Sequence, residues 1–380
     1  MRKLALLSTT LLTGLVTTPV AHAVDVTMYG QVNKTVMGHD DGRSTDFGVY
    51  DNDLSSTRLG VKGEKKLDNG LTASVLLEME MQSNPSNLAT QNTGANSTTP
   101  ASGGNGGAGS TVGFDERHAS VGLSGDFGGV VVGQTATASD GIYTQDLTGV
   151  KDVLMSDAHK IGGGLFFRDA NGALSAANMN RISFTGSTSR ADAIRYDSPK
   201  LKTAFGNFQG KAAVAQGGDT DVAALYDATL GDFKVLGAAS VVFNNDDAST
   251  VTNSFDKRYI ASGSVLHKSG IGGTVAYTTD ELAQDTANSG DPEQFYVKAG
   301  YAWDAYEVAA DYTKARNYNN PATGVTAAAN TKLEAVGVGA QYNMGNGVSL
   351  AGAYRNLSAE RTGTSLEDID LFLANLRVKF

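Results

Sequence analysis

From residue 26 to the end, the chain divides into short runs in which apolar and polar side chains alternate. In residues 26–37, Val26, Met28, Val32 and Val36 share one face, while Thr27, Gln31, Asn33 and Thr35 share the other. A period of two places successive side chains on opposite faces of a β-strand. Residues 71–81 repeat it, with Leu71, Ala73, Val75, Leu77, Met79 and Met81 set against Thr72, Ser74, Glu78 and Glu80. Further runs at 56–65, 116–124, 130–137, 192–197, 204–215, 221–230, 233–243, 258–267, 273–279, 293–303, 306–315, 331–342, 348–356 and 368–380 bring the count to sixteen.

The connections between runs alternate in length. "LDNG" joins the second run to the third, and Asn and Gly tolerate the positive φ of a tight hairpin. "GDFGG", "SPK", "GD", "KSG", "DA" and "MGNG" make the other short turns. Long segments lie between them at 38–55, 82–115, 138–191, 216–220, 244–257, 280–292, 316–330 and 357–367. The last run places Phe372, Ala374, Leu376, Val378 and Phe380 on one face and Asn375, Arg377 and Lys379 on the other. A terminal aromatic inside such a pattern needs a pairing strand on its edge and an apolar cover on its outer face. The expected fold is all-β, a 16-stranded antiparallel transmembrane β-barrel with short turns at one end and long loops at the other. Its last strand closes on its first, since only a closed barrel leaves no strand edge unpaired in hydrocarbon. A secreted β-sandwich or β-solenoid gives no reason for the short/long alternation.

Composition supports export. "MRK", an apolar Thr-rich run over 4–20 and Ala21-His22-Ala23 have the three parts of a secretory signal peptide, with cleavage expected after Ala23. The barrel domain is then 24–380, with 28 basic and 40 acidic residues and a formal charge of −12. No later apolar run reaches the roughly 20 residues of a membrane helix. Cysteine is absent, so neither a disulfide nor a thiolate site is available. Gly is abundant (46) and Pro scarce (6), as a chain made mostly of strands requires. Tyr29, Tyr196, Tyr259, Phe295, Tyr301, Trp303, Tyr306 and Tyr354 lie near strand ends and fit aromatic girdles at headgroup level.

Catalysis has little footing, and the protein is expected not to be an enzyme. Only His39, His118, His159 and His267 follow the leader, and no G-x-S-x-G accompanies them. The Gly-rich run 103–109 lacks the Lys-Ser/Thr of a phosphate-binding loop. No cofactor is expected. "DND" at 51–53 and Asp246-Asp247 could bind Ca²⁺ in the long loops, without the twelve-residue ligand pattern. The acidic balance argues against nucleic acid as a partner.

"SSTRLGVKGEKKLDNGLTASVLLEME", "ERHASVGLSGDFGGVVVGQ", "AIRYDSPKL" and the terminal "RVKF" resemble the Gram-negative general porins, trimeric sixteen-stranded diffusion channels. The likeness covers essentially the whole chain after the leader, although from about 216 to 365 only the pattern persists. It implies a homotrimer set among outer-membrane lipid and lipopolysaccharide, passing small hydrophilic solutes and ions passively. It also implies a C-terminal strand ending in Phe380 that closes the barrel and is read by the barrel-assembly machinery. The third long loop, 138–191, would fold into the lumen and constrict it. Its acidic residues Asp140, Asp146, Asp152 and Asp157 would then face a basic wall.

On that wall Arg58, Arg117 and Arg195 match the family's positions. Arg58 also has a case from parity: if Leu59 and Val61 meet lipid, Arg58 and Lys62 line water. The parity of Arg117 is ambiguous, because Ala119 and Val121 share its face. Arg195 alternates with Ile194 and Tyr196, which favours the lumen. Two departures from the family stand out. Gln31 occupies a position where some members carry lysine, and Lys34 shares the apolar face of the first strand. A lipid-facing Lys at the midplane costs about 2–4 kcal/mol, so a subunit interface, snorkelling or a bulge must relieve it. Alternatives are a substrate-preferring channel for sugars or an anion, and a closed-barrel surface adhesin.

Overall fold

The computed structural model describes residues 25–91, 114–184, 190–245, 255–283, 291–317, 331–361 and 364–380. The leader expected at 1–23 and the acidic pair at 246–247 lie outside these residues. The chain forms strands β1 (Asp25–Asp40), β2 (Thr45–Asp51), β3 (Arg58–Lys66), β4 (Thr72–Met81), β5 (Phe114–Gly125) and β6 (Gly128–Ala136). Next come β7 (Phe166–Arg168), β8 (Leu174–Asn178), β9 (Arg190–Asp197), β10 (Leu201–Thr203), β11 (Gly206–Ala215), β12 (Thr220–Leu230) and β13 (Phe233–Phe243). The remainder are β14 (Phe255–His267), β15 (Ile271–Leu282), β16 (Glu293–Trp303), β17 (Tyr306–Arg316), β18 (Thr331–Gly345), β19 (Val348–Arg361), β20 (Thr364–Ser365) and β21 (Ile369–Lys379).

Every wall pairing is antiparallel, and the sheet closes on itself where β1 pairs with β21. The wall has sixteen strands, because β2 and β3 form one interrupted strand, β10 continues β9, and β20 is a short addition to β19. Phe380 completes the closure by exchanging backbone bonds with Gly30, N–H to O at 2.9 and 3.0 Å. Val32, Val36, Phe372, Leu376 and Val378 lie exposed on the outer face, as alternation requires.

Three local features differ from the pattern reading. Residues 38–55 are mostly strand rather than loop: β1 runs on to Asp40, and β2 pairs back onto it. Residues 52–57 then break the wall strand with a short 3-10 turn, Asp53–Ser55, whose entry Asn52 caps itself by accepting from Leu54 N–H. This break relieves Lys34. Its ammonium points outward but lies 2.5 Å from Asp51, a fully buried carboxylate that also accepts from Ser83 and Asn84 N–H. The second difference is the "SPK" segment, which is a mid-strand kink. Pro199 has no N–H to give the ladder, and the reversal comes at 204–205, between β10 and β11. The third concerns Tyr29, placed by the pattern in a girdle. It points into the barrel and donates to Glu78 at 2.7 Å. The other seven aromatics face outward, and Tyr301, Trp303, Tyr306 and Tyr342 stack in series at 4.9–5.8 Å.

Candidate functional site

The insertion between β6 and β9 turns into the barrel and packs against one side of the wall. Apolar contact carries the packing. Val150, Val153, Leu154, Ile161 and Leu165 of the insertion are buried in one cluster with Leu333, Ala335, Leu357, Ile369 and Leu371. The latter five face inward, so toward the long-loop end β18, β19 and β21 are apolar on their inner faces as well. Gly337 makes room for this approach: a Cβ there would lie 2.8 Å from the Leu154 side chain and 2.3 Å from Asp311.

Polar groups fix the register of the loop on the wall. Asp221 accepts from Ala138 and Ser139 N–H at 3.1 and 2.7 Å, and Glu307 accepts from Val150 N–H at 2.7 Å. Val150 is held at φ 60°, a costly conformation for a β-branched residue. Two of the four acids expected at the constriction are spent on anchoring. Asp146 pairs with Lys298 at 2.9 Å, their side chains 4% and 0% exposed. Asp152, fully buried, pairs with Arg377 at 2.5 Å and accepts from Ser349. Both point toward the wall because the wall supplies their cations. They are corrections to the expected set.

Asp140 and Asp157 behave differently. Both are half-buried and have no ion pair among the described residues. Burial pushes the Asp140 carboxyl above the usual carboxylate range, against the electrostatic pull of Arg190, Arg117, Lys211 and Arg195. Burial likewise raises Asp157, whose charged neighbours are Lys160, Asp53 and Asp140. Lys160 bonds Asp53 at 3.1 Å; burial disfavours its charge, but Asp53 and Asp157 outweigh this and raise its pKa. His159, buried beside Lys160, is driven down to about 3 and stays neutral.

The opposite wall runs from β3 to β11. Arg117 points inward because a register shift at Glu78/Met79 bulges β5, giving Arg117 and His118 the same side. That bulge resolves the parity that alternation left open. Arg117 bonds Glu78 at 2.6 Å and also pairs with Glu80. Arg58, opposite Gln31, lies 3.6 Å from Glu78. Lys62 lies nearer the short-turn end, over the Tyr29 ring at 5.9 Å. Arg195 binds Asp197 through two bonds of 3.0 Å and donates to Ala136 O at 2.6 Å. Arg190 and Lys211 were not among the expected residues. Lys211 stands opposite Asp197 and is legible as an inward position, whereas Arg190 shares the parity of Ile194 and Tyr196, which lie exposed on the outer face.

The second half of the insertion forms the β7–β8 hairpin, which reaches the long-loop end. Arg168 bonds Asp41 at 2.8 Å, its O accepts from Glu367 N–H, and Arg43 donates to Asn171 O. Burial works against the Asp41 charge, but Arg168 and the Ser44 and Arg43 N–H groups hold it at about 2. The carboxylates of the "DND" candidate diverge, Asp51 to Lys34 and Asp53 to Lys160. No cluster of three metal-binding side chains occurs among the described residues.

Comparison with known proteins agrees with this architecture. The fold is shared with an anion-selective porin from Comamonas acidovorans, at 18% identity and TM-score 0.58, covering 94% of this chain and 100% of that one. OmpF of Salmonella typhi, in complex with daunomycin, aligns at 15% identity and TM-score 0.57 over 94% and 98% of the two chains. The outer membrane protein OmpT of Vibrio cholerae, in a trimer form, aligns at 15% and 0.55 over 94% and 100%. No curated protein matches the chain. The sequence model for Gram-negative porins matches residues 8–362. With a closed sixteen-stranded wall and an insertion folded into its lumen, the chain belongs to the Gram-negative porin family, the outer-membrane channels for passive diffusion.

Proposed function

We propose that solutes pass a constriction bounded by Asp140 and Asp157 on the inserted loop and by Arg117, Arg195 and Lys211 on the wall. The carrying observation is the contrast in pairing: these two loop acids lack the wall partners that Asp146 and Asp152 have. Free carboxylates on one side and cations on the other set up a transverse field. Such a field favours small polar or charged solutes over apolar ones that would displace oriented water. Arg58 and Lys62 extend the basic wall toward the periplasmic end. The protein couples no energy to transport and carries out no covalent chemistry.

We further assign it as a homotrimer. A trimeric relative of the same fold supports this. The outward girdle fits outer-membrane lipid and lipopolysaccharide, and the terminal strand through Phe380 fits recognition by the barrel-assembly machinery. Single-channel conductance in a planar bilayer, with reversal potential under a KCl gradient, tests the reading. Three equal closing steps with modest selectivity are expected. A folded barrel that carries no current would leave the adhesin reading in its place.

A further inference from the structure

The outward face of β16–β19 differs between its two rims. At the short-turn end Tyr301, Trp303, Tyr306 and Tyr342 stack in series. At the long-loop end, register puts Glu293, Arg316, Lys332 and Glu360 in one row across the four strands. One step toward the hydrocarbon, Lys314 stands opposite Glu334. These six share the outward parity of the exposed Phe295, Val308, Val336 and Tyr354. The row lies at headgroup level, because the girdle residue Tyr277 donates to Glu293 at 2.9 Å. Elsewhere around this rim, exposed Phe47, Val49, Phe114, Val214 and Phe243 face outward.

The six form three ion pairs, Arg316 with Glu293, Lys314 with Glu334 and Lys332 with Glu360. Exposed pairs of this kind stabilise a fold little. Their layout also opposes the fold: Arg316 and Lys332 are direct register partners with Cβ atoms about 5 Å apart, and like charges so placed repel. The carboxylates that pair with them stand on the flanks, on β16 and β19. Lys314 lies diagonal to Lys332, at about 7–8 Å. Among the described residues, the centre of the patch sets three cations against one carboxylate, Glu334.

We propose that Lys314, Arg316 and Lys332 bind the anionic phosphate headgroup of an outer-leaflet lipid whose acyl chains lie along the apolar strip below. The site rests on the outer-membrane lipid reading above and places it on one sector of the barrel. The Arg316 guanidinium fork matches two phosphate oxygens, and the two ammonium groups act as point charges on the others. A phosphate seated between Arg316 and Lys332 relieves their repulsion. Below it Tyr312, Ala310 and Val308 of β17 stand beside Val336, Val338 and Ala340 of β18, an unbroken apolar surface. A free phosphate meets only the charges, whereas a lipid meets the charges and the strip together, so the surface fits a lipid.

The probes are dioleoyl phosphatidic acid and dioleoyl phosphatidylcholine, titrated onto the purified full-length barrel in detergent micelles, with bound lipid counted by native mass spectrometry. Wild type should retain phosphatidic acid over phosphatidylcholine. R316Q and K332Q should each lower that preference about fivefold, and the double variant about twenty-five-fold. Both side chains are about half exposed, at 52% and 46%, so the variants should fold. K257Q removes an outward lysine of the same rim on β14, paired with Glu281, and should change the preference far less. An equal loss in K257Q would reduce the effect to general surface charge and overturn the site. Excess inorganic phosphate should leave the lipid bound; if it displaces the lipid, the patch is a bare anion site and the lipid assignment falls. A wild-type barrel that conducts but shows no preference overturns the site and keeps the channel. A barrel that retains neither lipid overturns the membrane reading as well.

Discussion

Four aspartates of one loop meet two environments. Asp146 and Asp152 face the wall the loop lies on, and each finds a cation there, the buried Lys298 or the half-buried Arg377. Asp140 and Asp157 are half-buried, and neither has an ion pair among the described residues. Residue type and loop are the same, so the difference comes from what the barrel places opposite. A loop that fills a water path needs one face that binds and one that does not. Buried pairs hold position because parting them strands a charge away from water. Free carboxylates across a gap leave their charge available to solutes.

The largest effect should come from the bound face. Lys298→Gln leaves Asp146 buried against Thr274 without its cation, and stranding one partner of a buried pair costs about 3–5 kcal/mol. The barrel itself should persist, because Lys298 serves the ladder through its backbone, which the substitution leaves in place. The expected result is a lower thermal unfolding midpoint and noisy, flickering single-channel current. If K298Q keeps both the wild-type midpoint and steady current, the pair does not anchor the loop. The mirror variant Asp146→Asn should be milder, since the Lys298 ammonium still donates to Leu154 O at 2.9 Å.

The free face should shift selectivity without loosening the loop. D140N/D157N removes two loop carboxylates that have no ion pair among the described residues and leaves the wall's own pairs in place. One unit charge about 8 Å from a passing ion in a water-like medium is worth about 0.5 kcal/mol, a factor of about 2 in preference. Salt screening cuts this energy to about half, but each charge acts with opposite sign on anion and cation, so together the two substitutions should move the anion-to-cation permeability ratio about fivefold toward anions, read as reversal potential in a KCl gradient. The unfolding midpoint should hold. A fall in the midpoint comparable to that of K298Q would erase the distinction between the faces.

Little of this contrast was legible in the sequence, although the barrel was. Alternation gives the strands because lipid demands one apolar face, and this constraint repeats at every strand. Nothing comparable acts on the loop. Which aspartate faces Lys298 depends on how 137–184 fold back onto strands more than a hundred residues away. The inward direction of Arg117 depends on a bulge that alternation cannot register. Residues 45–50 alternate but follow a Gly- and Asp-rich stretch that reads as loop, so β2 went unpredicted. One signal was present and unused. Leu333, Leu357, Ile369 and Leu371 make the inner faces of the last strands apolar, which a water-filled lumen does not ask for and a covering loop does.

The smallest expected effect repeats the second variant by protonation. Burial raises Asp140 and Asp157, so they take up protons at higher pH than ordinary carboxylates while the wall cations keep their charge. As pH falls from 7 toward 4, the wild-type reversal potential should drift toward anions, by less than D140N/D157N achieves because the titration is partial. Stability should not fall with it. An acid whose folded pKa lies above its unfolded value stabilises the fold below the unfolded pKa, and that contribution is lost as pH rises through the folded one. Asp41 has the opposite sign: its pairing with Arg168 contributes above the unfolded value and is lost only as pH falls through about 2. His159, at about 3, also stays neutral across the window. The drift should therefore appear with steady current and vanish in D140N/D157N. A drift that survives in the double variant would move the titrating charge to other lumen groups, and the free face would lose its claim on selectivity.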